Sequence, residues 1–222
     1  MNILVVYAHQ EPTSLTASLK NIGLSILSSQ GHTVIESDLY GSGFHPVAGK
    51  YDFNTLTGAH YNYMLEQQAS AKNDWAFAPD IVSEMQKVKE AEMIIFYTPV
   101  WWHSVPAILK GWFDRVLAMG FACDSGKIYD EGLLRGKRVL LCAVAGNPED
   151  IYQPLNKHRA TLKQMLHPIH QGIFSFCGMD VMEPFIVYSS MNHTPEEYAG
   201  ILDSHKALVE TAVSNPRYLS KY

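Results

Sequence analysis

The chain reads as an α/β fold with a doubly wound parallel sheet of five strands, in the order 2-1-3-4-5. Three observations lead there. Short apolar runs alternate with helical patterns along the whole length, as in repeated strand–helix–strand units with right-handed crossovers. The central runs have no polar face, which suits strands covered by helices on both sides. There are five runs, which fits this order better than the larger dinucleotide-binding sheet.

The elements follow in order. Ile3 to Ala8 is apolar throughout and reads as a central strand. Leu15, Leu19, Ile22, Ile26 and Leu27 then make a helical stripe that Gly31 ends. His32 to Leu39 is a second, partly alternating strand. From Tyr40 to Trp75 the pattern loosens into an aromatic-rich excursion at about 40–75, punctuated by Gly41, Gly43, Pro46 and Gly49. It is expected to cover a ligand or a partner subunit. Pro79 to Glu90 is a helix and Met93 to Tyr97 a buried strand. Ser104 is an expected N-cap with Pro106 in the first turn, ahead of the apolar face Val105, Ile108, Leu109, Trp112 and Val116. Arg138 to Ala145 is the fourth strand. A helix is expected from about Tyr152 to Met165, and a helical or irregular connector from His167 to Gly178. Val181 to Ser189 is the fifth strand. Thr194-Pro195-Glu196-Glu197 caps a last helix that ends near Val213. Residues 1–222 are thus expected to form a single domain.

Composition narrows the function. The chain has 222 residues, 47% hydrophobic and 18% charged, with a net charge of −5 and no dense basic run. That argues against nucleic acid as a partner. No apolar run is long enough to span a bilayer, so no membrane insertion is expected. Cys123, Cys142 and Cys177 are widely spaced with no CxxC, which suits reduced thiols, and a cytoplasmic location is expected.

The chemistry gathers on the loops after strands 1, 3 and 4, which this topology brings to one edge. His9, Thr13, Ser14 and Thr16 offer donors at the start of a helix, where free N–H groups and the dipole favour a phosphate. A capped helix with no ligand is the alternative. Pro99-Val100-Trp101-Trp102-His103 spends two adjacent tryptophans on a loop. It reads as the floor of a pocket for a flat ring, or else as a loop packed back on the core. Ala145-Gly146-Asn147-Pro148 can approach a ring edge with its backbone. Tyr152 and His158 beyond it can relay a proton. A metal site from His9, His103 and His158 has no supporting spacing, and none is expected. No GxGxxG, GxxxxGK[ST], HExxH or GxSxG occurs.

These residues resemble a known family. Val100-Trp101-Trp102-His103-Ser104-Val105-Pro106-Ala107-Ile108-Leu109-Lys110-Gly111-Trp112 is similar to the flavin-binding signature of the NAD(P)H:quinone oxidoreductases of the DT-diaphorase type. Tyr7-Ala8-His9 with Thr13-Ser14 resembles that family's phosphate loop. Tyr129-Asp130-Glu131-Gly132 and Phe176-Cys177-Gly178 match as well.

The resemblance implies a flavodoxin-like homodimer with one flavin per subunit, FAD rather than FMN. NADH or NADPH gives a hydride to the flavin, and a quinone or similar small acceptor takes it from the same place. Carried over by position, His9, Thr13, Ser14, Leu15 and Thr16 meet the phosphates and ribityl chain. Pro99, Val100, Trp101, Trp102 and His103 meet the ring, as do Val144, Ala145, Gly146, Asn147 and Tyr152. Asn62 lies near the adenosine half. Tyr152 and His158 match the catalytic pair that stabilises the reduced flavin's anionic side. Trp102 and His158 border the substrate pocket, with Cys123 and Ser125 where vertebrate members carry two tyrosines. A flavodoxin-like electron carrier and an ancillary subunit of a potassium-efflux system are the alternative functions.

Overall fold

The computed structural model describes residues 1–57 and 60–214, so the last stretch of the expected domain, residues 215–222, lies outside it. Strands β1 (Asn2–Tyr7), β2 (Thr33–Asp38), β3 (Met93–Pro99) and β4 (Arg138–Val144) form a parallel sheet in the order β2-β1-β3-β4. The fifth position is shared by two short pieces, β5 (Asp180–Val181) and β6 (Phe185–Val187), both parallel to β4. One strand was expected from Val181 to Ser189. Pro184 stands between the pieces, and proline cannot donate to a ladder. The sheet order itself is the expected one.

Side-chain alternation along the strands builds two cores. Ile3, Val5, Ile95, Tyr97, Leu140 and Cys142 face α1 (Leu15–Ser29) and α6 (Pro195–Ala212). Leu4, Val6, Ile94, Phe96 and Leu141 face α3 (Pro79–Glu90), α4 (Ala107–Val116) and α5 (Leu162–Ile169). Helix ends follow local chemistry. Ser14 accepts from Ala17 N–H at the start of α1. At its end His32 N–H reaches Leu27 C=O and Gly31 N–H reaches Ser28 C=O, with Gly31 at φ +80°. Thr194 and Glu197 form a capping box on α6.

Three expectations need correction. Tyr152–Met165 is not one helix. Pro154 disfavours helical geometry at Gln153, and the Thr161–Gln164 capping box starts α5 only at Leu162. His158 therefore sits on a loop. Ser104 does not cap α4, whose N-cap is Pro106; Ser104 instead closes a turn with Trp101. Within the excursion a helix, α2 (Tyr63–Lys72), was not foreseen. Its buried residues are Glu66, Gln67 and Ser70, so it carries no apolar stripe to read. Part of the excursion's aromatic surface packs on itself: Phe53 lies against Tyr61, Tyr63 and Phe77.

Arg115 on α4 anchors that excursion. It donates to Asp52, to Asp80 on α3 and to the His45 carbonyl, all at 2.7–3.0 Å, and is 2% exposed. Gly111 on the same helix leaves room for the Pro46 backbone, which a Cβ would meet at 2.0 Å. Asp52 also accepts from Tyr63 Oη, so α2, α4 and the excursion share one buried polar knot.

Candidate functional site

β3 and β4 end level, with Pro99 beside Val144, and β1 stops two residues short of them, with Tyr7 beside Tyr97, so the loops that follow emerge at one edge. The first loop is held by its own polar groups. Glu11 accepts from Thr13 N–H and Oγ1–H and donates its own N–H to His9 Nδ1. Burial lowers the His9 pKa, partly opposed by Glu11. Ser14 Oγ is occupied as a cap. Leu15 and Thr16 open the helix, and among the described residues their N–H groups have no acceptor. This is a donor set suited to a phosphate, with a neutral imidazole and a helix start in place of a cation.

After β3, Val100 N–H bonds the Val144 carbonyl at 2.8 Å, tying the second loop to the third. The next four residues make a tight turn closed by Trp101 N–H to Ser104 C=O and Ser104 N–H to Trp101 C=O, both 3.0 Å. Trp102 and His103 occupy its centre at φ +52° and +58°. Two successive positive φ values mark a type I′ turn, which favours Gly or Asn; in other residues they cost about 1–3 kcal/mol each. The tryptophans do not pack back on the core: Trp102 is 96% exposed and Trp101 39%.

The third loop supplies a cluster of rings. Tyr152 is buried, and His158 stacks on it at 4.6 Å between centroids and 17° between planes. His103 Nε2 lies 3.1 Å from His158 Nδ1, and its ring stands edge-on to both Tyr152 and His158. Tyr188, just past β6, packs against Tyr152 with its ring tilted, 5.7 Å between centroids. Burial, with Glu149 and Tyr152 nearby, raises the Tyr188 pKa. Asn147 Nδ2 reaches Tyr152 Oη at 3.5 Å, the outer limit of a hydrogen bond. Val144 and Ala145 are buried, while Gly146 and Asn147 are exposed.

The structure thus brings Pro99 to His103, Val144 to Asn147, Tyr152 and His158 together, with His9 to Thr16 on the neighbouring strand end. It keeps others elsewhere. Asn62 caps α2, accepting from Leu65 N–H. Cys123 and Ser125 lie beside α2, where the intervening Asp124 accepts from Gln68. Burial, with Asp124 next, raises the Cys123 thiol pKa. Sequence reasoning missed the His103–His158 contact and the part of Tyr188. The two histidines are 55 residues apart, and only the β3–β4 pairing makes them neighbours. Among the described residues no three or more His, Cys, Asp or Glu form a metal-binding group, and no helix is long and apolar enough to cross a membrane.

This arrangement fits a flavin. It offers a phosphate seat, exposed indole surface for a flat ring, backbone groups at a ring edge, and a Tyr–His cluster beside them. Comparisons with known proteins point the same way. The Flavodoxin_2 family profile, a flavodoxin-like fold, matches residues 1–210. A ribosyldihydronicotinamide dehydrogenase [quinone] from Pongo abelii is 41% identical, over 94% of this chain and 90% of its own. NAD(P)H dehydrogenase [quinone] 1 from Rattus norvegicus is 37% identical, over 94% and 76%. A structure from Klebsiella pneumoniae, described as a candidate quinone reductase, superposes with a TM-score of 0.91 at 31% identity. It covers 97% of this chain and 86% of its own.

Proposed function

We propose, from the premise that this chain belongs to the Flavodoxin_2 family of flavodoxin-like proteins, that it is a flavin-dependent NAD(P)H:quinone oxidoreductase. The observation that carries this reading is the convergence of three loops, with the ring cluster of His103, Tyr152 and His158, at one sheet edge. A plain electron carrier has no use for such a cluster. The names of the relatives agree with the reading.

The flavin, when bound, accepts a hydride from a dihydronicotinamide and passes it to a quinone. The chain's residues bind, orient and balance charge. His9, Thr13, Ser14, Leu15 and Thr16 seat the phosphates. Pro99 to His103 and Val144 to Asn147 hold the ring, Trp102 giving it an aromatic face. Tyr152 and His158 stabilise the negative charge that reduction brings to the ring edge. FAD is proposed over FMN, because the long excursion from 40 to 75, with Asn62 on it, offers surface for an adenosine half. Among its residues Val47, Tyr51, Leu56, Met64 and Leu65 remain exposed, an apolar set that supports a homodimer. Trp102, Cys123 and Ser125 border the acceptor pocket in that assembly. A cytoplasmic enzyme is proposed, with buried free thiols in support.

The reductant is open to a second reading. Relatives at 40–41% identity carry the ribosyldihydronicotinamide name, so a dihydronicotinamide riboside is a candidate donor beside NADH and NADPH. Stopped-flow flavin reduction with each donor decides. His158→Gln should keep the flavin and slow its reduction about tenfold or more. An unchanged rate would remove His158 from the chemistry.

A further inference from the structure

The Tyr152–His158 pair leaves a question that the geometry answers. Between these two residues there is no hydrogen bond; their rings meet face to face at 4.6 Å. The hydrogen-bonding partner of His158 is His103. We propose that His103 is a positioning residue of the proposed flavin site: it shares a proton with His158, and the two imidazoles work as one unit. This rests on the reading of the site as a flavin pocket.

The N···N distance of 3.1 Å requires one nitrogen to donate and the other to accept. The bonded pair therefore holds two ring protons when neutral and three when singly charged. A fourth would set two N–H groups against each other and break the contact. These two bonded arrangements differ by one positive charge. Reduction by a hydride brings one negative charge to the ring edge. The pair matches it by passing from two ring protons to three: an N–H bond forms on an imidazole and an O–H bond of a hydronium ion breaks. His103 and His158 are both half-buried, so the pair links the pocket edge to solvent. Tyr152 stacks on His158 and stands edge-on to His103, fixing both ring planes.

The backbone singles out the same residue. His103 sits in the strained centre of the type I′ turn, at φ +58°, with no glycine to relieve it. Strain of this kind persists where surrounding contacts over-determine it. The contact also joins the loop after β3 to the loop after β4, so it fixes the distance between the two walls of the pocket. The charged and titratable groups next to the pair in sequence or in ring contact are Glu149, Asp150, Lys157 and Arg159 on the His158 loop, Tyr152 stacked on His158, and Tyr188 packed on Tyr152.

The test compares the intact protein with His103→Phe and His103→Gln. Phe keeps a ring but cannot bond; Gln restores a donor and an acceptor. Long-range proton–nitrogen NMR reads the His158 tautomer without turnover. One dominant His158 tautomer is expected in the parent, a mixture in His103→Phe, and partial recovery in His103→Gln. The same tautomer ratio in all three would overturn the proposal. With flavin bound, His103→Phe should slow reduction by a dihydronicotinamide about tenfold, and its rate–pH profile should lose one limb that His103→Gln partly restores. An unchanged profile would equally contradict it. Absence of turnover in every form, with the tautomer shift intact, would count against the quinone reductase reading and leave the histidine pair standing.

Discussion

At the scale of single residues, the site is built from side chains in costly places. Trp102 and His103 hold positive φ in a turn that asparagine or glycine would fill with less strain, and Trp102 leaves its indole almost wholly in water. Trp102→Asn should therefore stabilise the flavin-free protein, by about 1 kcal/mol, while weakening flavin retention. Chemical denaturation of the apoprotein and a flavin release assay measure the two halves. A destabilised apoprotein would show that the indole packs where it stands exposed. The placement of Trp101 and Trp102 on the loop after β3, and of a helix start behind the His9–Ser14 loop, was legible from residue type and position. The His103–His158 bond was not, because it depends on where two loops end up once β3 and β4 pair. Nor was the face-to-face contact of Tyr152 with His158, which the expected helix would have prevented.

At the scale of elements, the regular pieces declared themselves through apolar spacing and caps. Pro79 to Glu90 appears with its expected bounds because Ile81, Met85 and Val88 recur on one face behind a proline and an acid. The thread from Tyr152 to Thr161 and helix α2 were hidden for opposite reasons. Pro154 and the Thr161 cap override a helix-like run, while α2 buries Glu66 and Gln67 on polar partners and shows no stripe. Gln67 donates to the Asp114 carbonyl and Glu66 accepts from Thr57. Arg115 is the residue on which the excursion turns. Asp52→Asn keeps the shape but removes the buried countercharge, and should cost about 3–5 kcal/mol, as when one member of a buried pair is lost. A shift of denaturant midpoint with little change of slope is expected. A loss below 1 kcal/mol would mean that Asp80 alone satisfies Arg115.

At the scale of the molecule, two cores on either side of one parallel sheet make a platform whose carboxyl edge carries the three loops. One side of it contains a buried histidine. His205, on the buried face of α6, meets Tyr97 Oη at 3.1 Å, and burial lowers its pKa to about 4. An unfolded histidine titrates near 6.5, so below that pH the unfolded chain binds a proton that the folded one refuses. Stability should fall as pH drops from about 6.5 toward 4, with His170, also pushed to about 4 by burial, adding to the slope. His205→Gln should flatten the dependence by up to about 1.4 kcal/mol per pH unit in that window; an unaltered slope would place the acid sensitivity elsewhere. The proposed function requires the three loops to form a flavin site that cycles hydride from a dihydronicotinamide to a quinone. Anaerobic titration of the flavin-loaded protein tests it most directly. NADH, NADPH or dihydronicotinamide riboside should bleach the visible flavin band in a one-to-one ratio, and a soluble quinone should restore it fully. A bound flavin whose spectrum none of the three donors changes would contradict the claim.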